Sequence, residues 1–513
     1  MADTELLGVM TDKNQNNKFD SQEKIRNTYT PEIVIALCGP MGTPLHEVAA
    51  TFKKILESHD FGYEQVNVIR LSEIIRKLKG LKESEVSLDD LISAGNELRE
   101  QSGNAILVQH AIREIYLARQ KTGTGETGSD DVPKIEPGAV IPTKVTKVCH
   151  IINSIKNNDE LTMLRQVYGD MLHVFGVYAP IELRIERLNK QYESSDIYNL
   201  IDRDSGEEIK HGQTVRDTFP RADFFLRADT GTDTQLTSRV QRFLDLMMGV
   251  RIITPTIAER AMYEAYSAAR NSACLSRQVG AAVIDSTGNL LGVGWNDVPK
   301  AFGGLYETPD YSASMDSDHR CWNKDGGKCF NDEEKDFLAK QMTDRLFEKK
   351  LINDEAKEKI YDALRHDSKL KDLIEFSRAI HAEMHALLNA SQTSGAKLKN
   401  GKLYVTTYPC HSCARHIVAA GIAEVYFLEP YRKSLATKLH ADSITESETD
   451  TTKVRIMPFD GVAPSRFLKL FSASDIGRKN NAGRINTQTV QPVTAITVEA
   501  IQTLESLAFK GIS

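Results

Sequence analysis

The sequence predicts an α/β protein of two successive domains, each a sheet with helices on its faces. Three observations carry that reading. Apolar strand-like runs alternate with helix-spaced segments through about residue 250, the pattern of a parallel, doubly wound sheet. A second strand–helix cycle opens at Thr254. No apolar run reaches the ~18 residues that a membrane-spanning helix needs, so both cycles are expected to fold in water. The expected divisions are a flexible tail over 1–28, a first domain over 29–250 and a second over 251–513.

Residues 1–28 are rich in Asp, Asn, Lys and Gln and show no periodicity, hence the tail. EIVIALCGPMGTP (32–44) reads as an apolar strand ending in a Gly/Pro turn, and LHEVAATFKKILES (45–58) follows with helical spacing. YEQVNVIRL, HIINSI, MLHVFGVYA and RADFFL supply further strands, with helices over IELRIERLNKQ and TQLTSRVQRFLDLMMG. The Gly-, Pro- and Asp-rich stretch 121–142 reads as a long loop or insertion. In the second cycle, 254–273 is a helix opening with Thr and Pro, and 279–296 is two strands joined by a Gly/Asn turn. Residues 301–370 are polar and loop-rich, with a charged helical stretch at 333–364. A helix over 378–388, a strand over 401–410, a helix from Cys413 and a strand over EVYFLEP complete the pattern. The last ~60 residues carry little periodic signal.

Composition narrows the function. The chain has 513 residues, 41% of them hydrophobic and 26% charged, as in ordinary globular proteins. A net charge of −7 gives no global attraction to nucleic acid or anionic lipid. The polar N-terminus has no apolar signal core, so a cytoplasmic location without membrane contact is expected. Seven cysteines in so long a chain do not make a disulfide framework, and close-spaced ones more often bind metal.

RAIHAEMHALL (378–388) places His381 and His385 four apart, on one face if the segment is helical. It resembles the HExxH zinc-protease motif, but Glu383 follows His381 by two positions instead of one. Cys410 and Cys413 stand further on, in YPCHSC. A histidine and a CxxC at a strand-to-helix junction supply the three protein ligands of a catalytic zinc site, with a fourth position left for water. There the helix dipole and the metal favour thiolate. His-x-Glu followed by Pro-Cys-x-x-Cys is the signature of zinc deaminases acting on cytosine or adenine. Glu383 can then reach the water without being a ligand. His385 is expected to pack in the core or hydrogen-bond behind the ligands.

On RQVGAAVI, GVGWND, HAEMHALL and YPCHSCARHIVAAGI, residues 254–445 resemble the deoxycytidylate deaminase family of the cytidine-deaminase superfamily. The N-terminal half looks kinase-like; with EPYRKSLATKLHADSI (429–444), the chain as a whole resembles the bacterial anti-phage dCTP deaminases. The resemblance implies a P-loop kinase-like parallel sheet followed by a three-layer α/β/α cytidine-deaminase-like domain. It implies Zn²⁺ on His381, Cys410 and Cys413, with Glu383 moving protons. The implied reaction is hydrolytic deamination of free dCTP, dCMP or both to the uracil form with ammonia release, depleting dCTP in antiviral defence. It also implies homo-oligomers, hexamers among them. Asn296 would hydrogen-bond the sugar, its plainer reading being a turn residue, and Val279, Gly280 and Ala281 would wall the pocket. Arg270, Arg277, Arg432 and Lys433 are the cations at hand for phosphate. A regulatory RNA or protein inhibitor is conceivable, since related defence deaminases are held inactive by partners, although the sequence shows no RNA motif.

Alternatives stay open. A housekeeping dCMP deaminase supplying dUMP would use the same residues. A polynucleotide cytidine deaminase needs a basic groove and base-stacking aromatics, against which stand two tryptophans and an acidic balance. A binding module with structural zinc would need a closed four-ligand site.

Two signals are weaker. DHRCWNKDGGKCF offers His319, Cys321 and Cys329 as a second zinc set, against an ordinary loop. CGPMGTPLHE sits where a phosphate loop would, but counting from Gly39 puts Pro44 at the second glycine, Leu45 at the lysine and His46 at the Ser/Thr. Asn153 stands where a carboxylate would hold magnesium. The fold is expected to survive without phosphoryl transfer, leaving Gly39 and Gly42 with at most weak nucleotide binding.

Overall fold

The computed structural model describes residues 29–82, 87–124, 147–191, 214–228, 233–309, 317–430, 434–473, 479, 492–493 and 498–510. The expected tail over 1–28, most of the 121–142 insertion, Arg432 and Lys433 lie outside these residues. Two compact units form: 1–254 together with 460–513, and 255–459. The sequence predicts a second domain over 251–513. Residues 460–513 instead belong to the first unit, so the second is an insertion within it.

In the first unit, six-residue β1 (Ile33–Cys38) is buried throughout, as a central parallel strand must be. A glycine loop leads to α1 (Leu45–Leu56), whose Val48, Ala49, Phe52 and Ile55 repeat at helical spacing and are buried. Then come β2 (Gln65–Arg70), α2 (Leu71–Lys79), α3 (Leu88–Ser102) and α4 (Ile106–Thr124). Strand β3 (Val148–Ile155) precedes α5 (Asn158–Tyr168), which a capping box of Asn157 and Glu160 starts. β4 (Leu172–Tyr178), α6 (Ile181–Gln191), β5 (Phe224–Arg227) and α7 (Asp233–Met247) close the run. The parallel part of the sheet has the order β5-β4-β1-β3-β2. Its core includes Phe175, stacked on Phe224 with ring centroids 4.7 Å apart and meeting the edge of Phe52.

The second unit opens with α8 (Ile257–Ala269), capped by a box of Thr256 and Glu259 two residues beyond the Thr254–Pro255 start that the sequence suggested. β6 (Gly280–Ile284) and β7 (Leu290–Trp295) form the expected hairpin, whose turn is fastened by Asp285 accepting from the peptides of Thr287 and Asn289. The polar segment carries α9 (Phe330–Glu348) and α10 (Lys357–Asp362). α11 (Ala382–Ser394), β8 (Lys402–Thr407), α12 (His411–Ala419), β9 (Glu424–Glu429), β10 (Ile444–Thr445) and β11 (Val454–Pro458) follow. The sheet order is β10-β11-β9-β8-β6-β7, antiparallel at β7-β6-β8 and parallel beyond.

Small residues set how closely helices lie on this second sheet. A Cβ at Gly294 would stand 2.3 Å from Ala386 N and 2.5 Å from Ala382 O, and one at Gly280 would stand 1.9 Å from Ala265 O. So α11 and α8 rest on strand backbone itself. The chain then returns to the first unit. β12 (Gly461–Val462) pairs antiparallel with β5, and α13 (Pro464–Phe471) and α14 (Val498–Ala508) follow. On α14, buried Glu505 meets Arg119 of α4, which also binds Glu32 at 2.7 Å. Weak periodicity hid this tail, because its partners come from far away in the chain. Among the described residues, no helix is long and apolar enough to cross a membrane.

Candidate active site

Two helix starts meet in the second unit. His381 is the N-cap of α11, with φ −76° and ψ 151°, so it stands in extended backbone and not inside the helix the sequence suggested. Its peptide position is fixed from the other side, where Ile380 N donates to Asp297 O at 3.0 Å. Cys410 is the N-cap of α12, and its Sγ accepts from Cys413 N at 3.4 Å. The strand-to-helix junction places both thiols at a helix N-terminus, as the CxxC spacing led us to expect.

His381 Nδ1 lies 3.2 Å from Cys413 Sγ and 3.3 Å from Cys410 Sγ. Within the described residues, these three are the group of His, Cys, Asp or Glu side chains whose ligand atoms come within 4.8 Å of one another. Glu383 is the second residue of α11, buried, and hydrogen-bonded with the Cys413 thiol. Hydrogen bonds from Cys413 and His381 pull the Cys410 thiol down to about 4. The bond to Cys410 lifts His381 to about 9, while its bond with Cys410 and burial push Cys413 up. Burial also raises Glu383, against the pull of His381. One imidazole, one thiolate, a second thiol at contact distance and two helix dipoles favouring negative charge make a donor set that fits zinc.

The other expected residues are distributed as follows. His385 backs the site: Trp295 N donates to its Nδ1 at 3.2 Å, Asn389 meets its Nε2 at 3.1 Å, and the Trp295 ring packs edge-on. It does not join the ligand group, and burial lowers its pKa. Asn296 is buried and committed to backbone, its Oδ1 accepting from Val279 N at 2.7 Å and its Nδ2 donating to Arg277 O at 2.9 Å. It fixes the start of β6, where Gly280 and Ala281 are buried and Thr406 Oγ1 accepts from Gly280 N at 3.1 Å. Arg270 lies over the Tyr266 ring, and Arg277 is 3.9 Å from Glu429. His319 sets its ring edge-on to Tyr306, whereas Cys321 and Cys329 line a small pocket with Cys274 and Arg378. His319, Cys321 and Cys329 are therefore not brought together as a ligand group among the described residues.

Sequence reasoning missed the support for the segment before His381. Buried Asp297 accepts from Ala273 N at 2.9 Å and faces Arg320, itself held by Asp318 at 2.7 Å. These residues sit in loops, where no periodicity marks them.

In the first unit, the glycine loop serves its own protein. Thr43 N donates to Pro40 O and Leu45 N to Thr43 O, so neither amide is left for a phosphate. A Cβ on Gly42, at φ +82°, would meet Arg184 O at 2.7 Å. Lys156 Nζ binds Gly39 O at 2.9 Å, and Asn153 meets His46 at 3.1 Å.

With this geometry in place, residues 255–429 match the family model described as cytidine and deoxycytidylate deaminase zinc-binding region. The second unit carries that region. ComE operon protein 2 of Bacillus subtilis is 45% identical over 56 residues, which cover 11% of this chain and 29% of that protein. Deoxycytidylate deaminase of Enterobacteria phage T4 is 29% identical over 179 residues, covering 34% of this chain and 80% of the phage protein. The dCMP deaminase of cyanophage S-TIM5, solved with dCMP and dUMP, is 20% identical over 40% of this chain and 98% of its own, with a TM-score of 0.23. The deaminase match thus ends inside the second unit, and the first unit lies outside it.

Proposed function

We propose that the second unit is a zinc-dependent deaminase of free deoxycytidine nucleotides, acting on dCMP, dCTP or both, and that it serves to deplete dCTP in antiviral defence. The observation that carries the deaminase chemistry is the convergence of His381, Cys410 and Cys413 beside buried Glu383, within the segment that matches the deaminase family. Held by those three ligands, zinc supplies Lewis-acid activation of water.

Glu383 does the proton work. Its burial, which raises its pKa, suits it to hold a proton between two transfers. It takes one from the attacking water and delivers it to N3 of the cytosine. It then takes the second hydroxyl proton and gives it to the amino nitrogen at C4. The C4–N bond breaks, ammonia leaves, and the ring keeps a C4 carbonyl. Asn296 holds the wall of β6 in place and offers the second hydrogen of its amide nitrogen to the sugar. In this reading the chain works as a homo-oligomer held off by an RNA or protein inhibitor, and the first unit transfers no phosphate.

The test is ammonia release from dCMP, dCTP, CTP and single-stranded DNA by the purified chain. Turnover of a free deoxycytidine nucleotide supports the reading, and turnover of DNA alone overturns it.

A further inference from the structure

Four of the seven cysteines are buried: Cys38 and Cys149 in strands of the first unit, Cys410 and Cys413 in the ligand group. The other three, Cys274, Cys321 and Cys329, are half-buried, and all three line one small pocket of the second unit. That pocket has about 20 Å³ of free space, room for one water-sized molecule. Its thiols are not gathered as a metal-ligand set among the described residues. Two of them flank a tight loop. Asp325, Gly326 and Gly327 take φ of 51°, 82° and 81° and turn the chain back, and Lys328 N then donates to Cys321 O at 3.2 Å. Cys321 therefore lies alongside the chain that enters Cys329, the N-cap of α9. The surroundings are electropositive. Lys328, Arg378 and Lys324 converge on the ring of Phe330, the residue after Cys329, at 4.9, 5.0 and 6.0 Å, and Arg378 also bonds the Cys321 sulfur. Reactive cysteines sit in partly exposed, electropositive places of this kind, whereas enclosed ones are inert.

We propose that Cys321 and Cys329 are a site of reversible thiol oxidation, which hydrogen peroxide closes to a disulfide. Burial raises the Cys321 thiol, against the pull of Arg378, so Cys329 attacks first. Its sulfur forms a bond to one peroxide oxygen, the O–O bond breaks, and the departing hydroxide takes up the Cys329 proton as water. The Cys321 sulfur then attacks the sulfenic acid left on Cys329. The S–S bond forms, the S–O bond breaks, and the oxygen leaves as a second water with the Cys321 proton. Two thiols are oxidised and one peroxide is reduced to two waters. A dithiol reductant reverses the change by exchange. The same pocket wall contains Asp297, Ser377, Arg378 and Ala379. The reduced and oxidised chains therefore differ at the segment that leads into His381, whatever the second unit deaminates.

The test treats the full chain with hydrogen peroxide and maps its unreduced digest by mass spectrometry. A link between Cys321 and Cys329 is expected, two hydrogens lighter than the separate peptides, with the thiol count lowered by two and restored by dithiothreitol. Cys321→Ser and Cys329→Ser should each abolish the link. Cys321→Ser should leave a sulfenic acid on Cys329 that dimedone captures, whereas Cys329→Ser should leave none on Cys321. Absence of any link in the unaltered chain overturns the proposal, as does a link from Cys274 to either residue. Dimedone capture on Cys321 and not on Cys329 would overturn the order of attack. Two zinc ions per chain before oxidation would overturn the site, because its thiols would then be metal ligands.

Discussion

Glu383→Ala is expected to lower turnover by about 10²–10⁴-fold, the range for a lost general acid–base group, while zinc content stays at the level of the unaltered chain. Paired measurements of ammonia release and elemental zinc check this; loss of both together would make Glu383 structural. Cys410→Ser should instead remove the metal, and turnover with it. These residues were legible because their chemistry needs fixed letters at fixed spacings, which survive any uncertainty about the fold. The scaffold that aims them was not. Asp297, Arg320 and Asp318 act through contacts between loops, and no local pattern announces a loop–loop ion pair. The resemblance implies a sugar contact for Asn296, whereas the structure places its amide on the backbone of Val279 and Arg277. The sequence places His381 inside a helix. It is an N-cap, because its extended backbone turns the imidazole towards the thiols of a second helix start.

Among the elements, α11 is the one whose position matters most to the site, since it carries both His381 at its cap and Glu383 in its first turn. Its distance from β7 is set by glycine. Gly294→Ala would force a Cβ to 2.3 Å from Ala386 N, so α11 must lift off the strand. Overpacking of this kind costs about 1–3 kcal/mol. The expected outcome is a lower thermal midpoint together with weaker zinc retention, whereas a conservative change on the exposed face of α11, such as Leu388→Met, should alter neither. Unchanged stability and zinc affinity in Gly294→Ala would show that the contact is not rigid. The sequence displayed the helix and the strand through their periodicities, but the seam between them is a tertiary fact. Glycines 292 and 294 read as strand positions like their neighbours, and only Ala382, Ala386 and Ala390 packed against them explain why they are glycine.

For the whole molecule, the return of the chain after residue 459 ties the first unit together. Removing 460–513 takes away β12, α13 and α14, and with them Glu505, one of two carboxylates on Arg119. Breaking a buried charge pair by removing one partner costs ~3–5 kcal/mol, so Glu505→Ala should lower the unfolding midpoint of the first unit markedly. An unshifted midpoint would mean that Glu32 alone satisfies the guanidinium. Acid should weaken the same unit. Burial lowers His173 to about 4, with its Nε2 lacking a hydrogen-bond partner. An unfolded histidine takes up its proton near 6.5, so between about 6.5 and 4 the unfolded chain binds more protons and stability falls as pH drops, by on the order of 3 kcal/mol in all. Glu32, buried but held at about 2 by Arg119 and His150, adds to the loss below its unfolded value of 4.5. Glu505, raised by burial, opposes it. His173→Phe should flatten the slope of the thermal midpoint between pH 6.5 and 4; an unaltered slope would remove His173 from the explanation.

The sequence showed the five parallel strands of the first unit and the hairpin, metal-motif helices and central strands of the second in order, yet it left the helices over 71–124 and 158–168 unnamed and gave the tail to the second domain, since long-range pairing such as β12 on β5 leaves no periodic trace. The account stands most directly on one comparison: ammonia released from dCMP and dCTP by the unaltered chain and by Glu383→Ala, with zinc measured in both. Release by the first and not by the second, at equal zinc, is the expected result. Release at the same rate by both, or by neither while single-stranded DNA is deaminated, would contradict it.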